Sequence, residues 1–274
     1  MSQAELLAKA VELIRSADGL LVTAGAGMGV DSGLPDFRGD HGMWSYYPAL
    51  GKRQMGFSDI ANPAAFNRDP RLAWGFYGHR LDLYRRTVPH EGFRLLHDLG
   101  QRVRHGCFVL TSNVDGQFQK AGFDPERIYE CHGSIHQLQC MEPCNPTVWD
   151  NDLAVDVDEA ECQWRGALPV CKHCGMLARP NILMFNDWLW QGWPYERQAL
   201  RMRAWLQRLQ RPVVIEVGAG VAVPTVRLFG ERYYERLIRI NPQQAGIPGG
   251  KGVSLMIGGL EGVRAIYRAV GEKF

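Results

Sequence analysis

Three sets of residues in this 274-residue chain have the types and spacing to do chemistry. The first is glycine: "TAGAGMGVDSGLPDFRG", residues 23–39, sets Gly25, Gly27, Gly29 and Gly33 directly after the apolar run "GLLVT". Small residues at the carboxyl end of a buried strand let main-chain N–H groups approach phosphate oxygens, which would make a pyrophosphate cradle. Gly-Ala-Gly alone equally suits an ordinary strand-to-loop turn, because the spacing is not the full dinucleotide fingerprint. The second set is polar and follows later apolar runs. Thr111-Ser112-Asn113-Val114-Asp115-Gly116 comes after "CFVL", Cys131-His132-Gly133-Ser134 after "RIYE", Gly218-Ala219-Gly220 after "VVIEV", and Asn241 after "LIRI". The third set is thiols, with Cys140, Cys144, Cys162, Cys171 and Cys174 falling within 35 residues. Cys171-x2-Cys174 is a zinc knuckle of standard spacing, and Cys140-x3-Cys144 is a looser pair 26 residues upstream. Four thiolates satisfy tetrahedral zinc and would staple an insertion that lacks a core of its own. Cys162 and His173 stand as substitutes, and free buried thiols are the plain alternative.

The elements around these residues read as short strands at 19–24, 107–112, 127–131, 213–218, 236–241 and 253–257. Helical patterns lie between many of them, at 70–86, 91–99, 195–210 and 259–270, and the first 17 residues form an amphipathic pattern with Ser2 and Glu5 spaced as a capping box. Alternating apolar strands and helices predict an α/β fold with a doubly wound, mainly parallel, Rossmann-like sheet. All strand ends in such a sheet line one edge, so the polar turns converge with the glycine turn in a ligand crevice. Two stretches break the alternation. Residues 40–68 are aromatic and punctuated by Gly and Pro, while 137–184 hold the cysteines and the acidic tract "DNDLAVDVDEAE". The expected division is a large domain from 1–39, 69–136 and 185–274. The helical or loop insertion 40–68 and the zinc-binding insertion 137–184 would then form the small one.

Bulk properties narrow the classes. A net charge of +2 without basic blocks predicts no nucleic-acid or membrane-surface partner, and no apolar run approaches a bilayer span. A hydrophobic content of 46% suffices for a buried core. An odd count of seven cysteines argues against a disulfide framework. The N-terminus lacks the pattern of a signal peptide, so a cytoplasmic protein is expected. Oligomeric state is not legible.

With these residues in view, the chain resembles the sirtuins, NAD-dependent protein lysine deacylases. "GAGMGVDSGLPDFRG" is similar to their glycine-rich NAD motif, "TSNVDG" to Thr-Gln-Asn-Ile-Asp-Gly, and "CHGS" to their His-Gly. "CGMLARPNILMFND" resembles the stretch from their last zinc cysteine to Phe-Gly-Glu, and "RIN" the strand end that touches adenosine; the matches run in order from about residue 20 to 241. The resemblance implies NAD and zinc as cofactors and acyl-lysine proteins as partners. Ala24, Gly25, Ala26 and Gly27 would cradle the pyrophosphate, and Asp36, Phe37 and Arg38 would lie over the nicotinamide ribose. Asn113 and Asp115 would line the nicotinamide pocket next to Ser112, and Gly218, Ala219, Gly220 and Asn241 would complete the cofactor site. His132 would be the general base, with the bland alternative of a strand-end histidine bonding main chain.

The chain departs from that pattern at several points. Gly29 replaces a serine, Ser112 a glutamine, and Gly218-Ala219-Gly220 the sequence Gly-Thr-Ser, which removes two hydroxyls near the cofactor. Phe185 and Asn186, in Phe185-Asn186-Asp187, stand in the segment that clamps the substrate peptide, and the loop "VAVP" is a residue short. Cofactor chemistry is therefore better supported than peptide binding. This keeps two alternatives open: protein ADP-ribosyl transfer or NAD hydrolysis, and a non-catalytic NAD-sensing module. Tyr77 and Arg80, three apart on one helical face, resemble the acyl-pocket pair of the sirtuins that remove malonyl and succinyl groups. The alternative is plain helix packing, with Tyr77 against the insertion and Arg80 in solvent.

Overall fold

A computed structural model describes residues 2–36 and 39–271, so the expected site residues Phe37 and Arg38 lie outside the described residues. Six strands make the main sheet: β1 (Gly19–Ala24), β2 (Cys107–Thr111), β3 (Ile128–Glu130), β9 (Pro212–Val217), β10 (Leu237–Ile240) and β11 (Val253–Leu255). Their order is β11-β10-β9-β1-β2-β3 and every pairing is parallel. Each strand expected from the sequence forms, and most end before the polar residues that follow them. All six residues of β1 are buried, because helices cover both faces of a central parallel strand.

One face carries a core that includes Ile14, Leu96, Val263 and Ile266, from the helices Gln3–Arg15, Glu91–Gln101 and Gly259–Val270. The opposite face packs Met202, Trp205 and Val226 from Trp193–Leu206 and Thr225–Gly230 against Leu21 and Val214. The first helix starts as the sequence predicts: Ser2 Oγ accepts from the Glu5 N–H at 3.3 Å, and Glu5 Oε2 accepts from the Ser2 N–H at 2.7 Å. Within the second face, Glu216 on β9 lies in register with Arg239 on β10, and the fully buried pair is joined at 2.5 and 3.1 Å.

A separate core holds the small domain. Residues 40–68 fall in four short helices, Gly39–Tyr46, Pro48–Lys52, Phe57–Ile60 and Pro63–Arg68. Beside them stand an antiparallel sheet of β4 (Gly133–Cys140), β5 (Val148–Asp150) and β8 (Ala178–Ile182), and a small ribbon of β6 (Val157–Asp158) and β7 (Gln163–Trp164). The helix Pro70–Arg86, which alternation groups with the main sheet, buries Trp74, Phe76, Tyr77 and Leu81 in this second core. Gly75 and Gly78 bring it against the ribbon. A Cβ on Gly75 would lie 2.0 Å from the Cys162 carbonyl oxygen, and one on Gly78 2.8 Å from the Trp164 ring. Among the described residues, no helix is long and apolar enough to cross a membrane.

Candidate active site and metal centre

The strand order reverses direction between β1 and β9, and crevices in doubly wound sheets open at such a switch point, beyond the carboxyl ends of the strands. Two glycine turns meet there. The Gly25 N–H donates to the Val217 carbonyl and the Gly27 N–H to the Gly218 carbonyl, both at 3.1 Å. A Cβ on Gly218 would lie 2.3 Å from the Gly27 carbonyl carbon, and one on Gly27 would lie 2.7 Å from Gly218 Cα. Neither Gly27 nor Gly218 tolerates a side chain, and Gly218 also sits at φ +64°, where glycine is favoured. Ala219 is buried beneath the crevice and Gly220 is exposed. Asn241, buried at the end of β10, donates from Nδ2 to the Ala219 carbonyl at 3.1 Å and accepts at Oδ1 from the Gln243 and Gln244 N–H groups. Ala24, Gly25, Ala26, Gly27, Gly218, Ala219, Gly220 and Asn241 thus lie along adjoining ends of β1, β9 and β10. Asp36 is half-buried beside a cavity of about 170 Å³ that Leu34 and Tyr46 also line.

The end of β2 is tied to the same turn. The Ser112 N–H donates to the Ala24 carbonyl at 3.2 Å, and Asn113 Nδ2 donates to the Gly25 carbonyl at 3.0 Å. Asn113 is itself held by its N–H donating to Thr111 Oγ1 at 3.0 Å. Asp115 is 7% exposed and accepts from the Gln117 N–H at 2.9 Å. Burial pushes its carboxyl up to about 6, against the pull of the Gln117 N–H and the Arg80 charge. The ring of His136 reaches the Asp115 carbonyl at 3.0 Å, linking this turn to β4.

His132 is the second residue of the two-residue corner where β3 gives way to β4, half-buried, with its carbonyl accepting from the Leu183 N–H at 2.9 Å. Burial lowers its imidazole pKa, and main-chain hydrogen bonding to Ser112 opposes the shift. The ring is therefore neutral at physiological pH and able to take a proton. Its Nε2 lies 3.4 Å from Thr225 Oγ1. Sequence reading passed over Glu130, two residues earlier. It is 5% exposed, and burial pushes it up to about 7 against the opposing pull of the Gln119, Gln198 and Ser134 side chains. An acid between Tyr129 and Cys131 in the strand "RIYEC" was the available signal, as His136 was in "HGSIH".

Tyr77 and Arg80 do share a face, inside the second core. They are 1% and 8% exposed, and Tyr77 stacks on Phe66 at 5.5 Å between ring centroids. The Arg80 guanidinium lies 5.3, 5.9 and 5.4 Å from the ring centroids of Phe76, Tyr77 and Tyr84, and donates to the Tyr84 hydroxyl at 2.6 and 3.0 Å. Phe185 is partly exposed, with its N–H donating to the Ala61 carbonyl at 2.9 Å and its ring edge-on to Phe57. Asn186 takes φ +55°, a left-handed conformation that asparagine tolerates better than most residues, so the change from Gly to Asn keeps a turn here. Asp187 is locked below it by Arg179 at 2.8 Å, with both side chains fully buried.

Four of the five clustered cysteines converge. The sulfurs of Cys140, Cys144, Cys171 and Cys174 all lie within 4.8 Å of one another, with Cys140–Cys174 at 3.6 Å and Cys144–Cys171 at 3.7 Å. Tetrahedral zinc, with Zn–S of about 2.3 Å, needs sulfurs about 3.8 Å apart, so the thiols fit the ion. Burial raises the Cys171 thiol, but main-chain N–H groups of Cys174 and His173 outweigh it and bring it down to about 7. Cys162 is buried in the second core, outside this set.

A doubly wound sheet with interlocked glycine turns at its switch point, joined to a four-thiol module, defines a dinucleotide-binding α/β protein with a structural metal site. The Sir2 family profile matches residues 25–241, and the chain belongs to that family. It is 27% identical over 258 residues to the NAD-dependent protein deacylase of Aquifex aeolicus, spanning 93% of this chain and 96% of the relative. Against the NAD-dependent protein deacylase of Thermococcus kodakarensis, identity is 30% over 245 residues, spanning 88% and 87% of the two chains. A solved mutant Sir2 homologue in complex with ADP-ribose superposes with a TM-score of 0.71 at 25% identity, over the whole of both chains.

Proposed function

We infer that this chain is an NAD-dependent protein lysine deacylase. The observation that carries the reading is the meeting of Gly25–Gly27 with Gly218, tied by Asn113 and flanked by Asp115 and His132, in a chain of the Sir2 family. Bound NAD supplies a ribose whose bond to nicotinamide breaks and whose carbon receives the acyl-lysine oxygen. The remaining work falls to the protein. Ala24 to Gly27 and Gly218 to Gly220 line the pyrophosphate site; the N–H groups of Gly25, Gly27 and Gly218 already bond main chain, so those of Ala26, Ala219 and Gly220 reach the phosphate oxygens while the missing hydroxyls cost contacts. Asn241 faces the adenosine side and Asp36 the nicotinamide ribose, a role the family resemblance also gives Phe37 and Arg38.

Asn113 and Asp115 form the nicotinamide pocket, with Ser112 beside them. The Asp115 carboxylate, ionised above about pH 6, accepts from the carboxamide N–H. His132 takes the proton of a ribose hydroxyl, which frees that oxygen to attack the acyl carbon. One water molecule is consumed as the amine leaves, and free lysine, nicotinamide and O-acyl-ADP-ribose result. Cys140, Cys144, Cys171 and Cys174 hold zinc in a closed, structural site that ties the end of β4 to the turn before β8. The described thiols are unpaired, in keeping with a reducing compartment such as the cytoplasm.

Phe185 and Asn186 flank the acyl-lysine peptide, and Tyr77 with Arg80 grips an acidic acyl group. A guanidinium already oriented by the Tyr84 hydroxyl and set among the rings of Phe76, Tyr77 and Tyr84 supports this, since a guanidinium can give a carboxylate two parallel hydrogen bonds. Incubation with NAD and acetyl- or succinyl-lysine peptide, with mass analysis of peptide and nucleotide, tests the reading. Deacylated peptide and O-acyl-ADP-ribose are expected from wild type. Asp115→Ala and Asn113→Ala should release no nicotinamide. ADP-ribose attached to protein without deacylation would establish the transferase alternative instead.

A further inference from the structure

The helix Thr225–Gly230 is assigned no part in the reaction above, yet its first residue reaches His132. Thr225 Oγ1 lies 3.4 Å from His132 Nε2. The helix is pinned from the adenosine side of the crevice. Arg227 Nη1 donates to the Gln244 carbonyl at 2.8 Å and Nη2 to the Gly246 carbonyl at 3.0 Å, in the loop that begins at Asn241. Its Nε pairs with Glu231 at 3.4 Å, and Glu231 also takes a bond from Arg239 at 3.0 Å, the buried guanidinium that bonds Glu216. Val226 is 1% exposed on the sheet face, and at Gly230 a Cβ would lie 2.8 Å from Glu216 Oε2. The threonine hydroxyl is thus presented from a segment anchored on β9 and β10, not from a free loop.

We propose that Thr225 is a positioning residue for His132, holding the Nε2 side of the ring in the crevice and accepting from Nε2–H once the ring has taken a proton. A hydroxyl suits both states, because it donates to a neutral ring nitrogen and accepts from a protonated one. In the ligand-free chain it orients the ring. When a substrate hydroxyl gives its proton to Nε2, the O–H bond of the substrate breaks, the N–H bond forms, and the new cation finds Thr225 Oγ1 as acceptor. The proposal rests on His132 being the general base. It adds that this base is steadied from the loop after β9, whose Ala219 and Gly220 lack side-chain hydroxyls.

Thr225→Val keeps the branched shape and removes the hydroxyl, and Thr225→Ser keeps the hydroxyl. Each should be compared with wild type and His132→Ala in deacylation and in nicotinamide–NAD exchange, which reports glycosidic cleavage without the base. A charge-assisted hydrogen bond lost only after proton transfer predicts a fall of about tenfold in kcat for Thr225→Val. The KM for NAD and the exchange rate should stay within about twofold of wild type, and Thr225→Ser should recover most of kcat. Wild-type kcat in Thr225→Val beside an inactive His132→Ala would overturn the proposal while leaving the base in place. Equal losses in the Val and Ser variants, or exchange falling in step with deacylation, would also overturn it by showing a packing effect. Full deacylation by His132→Ala would remove the base assignment itself, and the role of Thr225 with it.

Discussion

The crevice at the switch point and the core of the small domain are built on opposite principles. Where the glycine turns of the crevice meet, side chains are excluded: Gly27 and Gly218 approach until an added Cβ would fall inside 3 Å of main chain on either side. In the small domain, side chains are the structure: Arg80 lies among three rings, Arg179 pairs with Asp187 out of water, and four sulfurs gather within 4.8 Å. A site made of main chain survives exchange of neighbouring side chains, which is why Ala219 and Gly220 can stand where hydroxyls are usual. A site made of side chains fails or changes specificity one residue at a time. The two regions should therefore break in different ways.

The largest effect is expected at the thiols. Structural zinc contributes on the order of 10 kcal/mol to small modules that fold around it. Cys171→Ser or Cys174→Ser should lose one zinc per chain and most soluble protein, while the main sheet retains its far-UV circular dichroism. Metal analysis showing a zinc-free, fully active wild type would count decisively against the site. Next comes the crevice. Gly218→Ala meets both a left-handed φ and the Gly27 main chain, and should cost about 3 kcal/mol or more together with NAD binding. Gly220→Ala has open space around its Cβ and should change stability by less than about 0.5 kcal/mol. Equal behaviour of the two variants in denaturant titrations would show that close approach is not what the glycine turn is for.

Glu130 joins the two regions, since it ends β3 just before His132 and β4. Burial holds its carboxyl up at about 7 in the fold, above the unfolded value of 4.5. Proton uptake therefore favours folding: this contribution is fully present below about pH 4.5 and is lost as pH rises through about 7. Glu130→Gln stays neutral at every pH. Relative to wild type it should gain about 1–3 kcal/mol at pH 8.5 and much less at pH 5, read from urea midpoints. A constant difference across that range would mean that Glu130 ionises without penalty in the fold.

Arg80 tests the side-chain principle through specificity. With Arg80→Met the preference for succinyl- or malonyl-lysine over acetyl-lysine should reverse, because a charge-assisted bond to a carboxylate contributes about 1.5–3 kcal/mol, tenfold or more in rate. Equal wild-type rates on acetyl and succinyl peptides, or an unchanged order in the variant, would leave Arg80 as a packing residue.

The same contrast governs what was legible in the sequence. Strand ends, glycine turns and the Cys140, Cys144, Cys171, Cys174 set were readable because each rests on local spacing: apolar runs of five or six residues, small residues after them, and thiols three or four apart. The partner of a helix is not local. Periodicity in 70–86 gives a buried face but not the core that it meets, and that is the second core through Gly75 and Gly78. Buried charge was also hidden. Glu216 and Arg239 sit inside "VVIEV" and "LIRI", and only the register of β9 on β10 brings them opposite. Thr225 and His132, 93 residues apart, meet only through tertiary folding.

A small effect is expected from Asn186→Gly, at the point where the chain departs from Phe-Gly-Glu. Its φ of +55° lies in the left-handed region, where a Cβ costs about 1–2 kcal/mol for most residues and less for asparagine. Asn186→Gly removes that strain, but glycine also gives the unfolded chain about 0.5–1 kcal/mol more entropy to lose. The two terms oppose, so the melting temperature should move by no more than about 2 °C in a chain of this size. Asn186→Val, branched at Cβ, gains neither relief nor freedom and should lose about 1–2 kcal/mol. Because Asp187 is fixed independently by Arg179, the turn should survive both changes and the acyl-peptide KM of the glycine variant should match wild type. A stabilisation above about 1 kcal/mol in Asn186→Gly would show that the turn stores strain. A large rise in peptide KM would make the Asn186 side chain itself part of the peptide site.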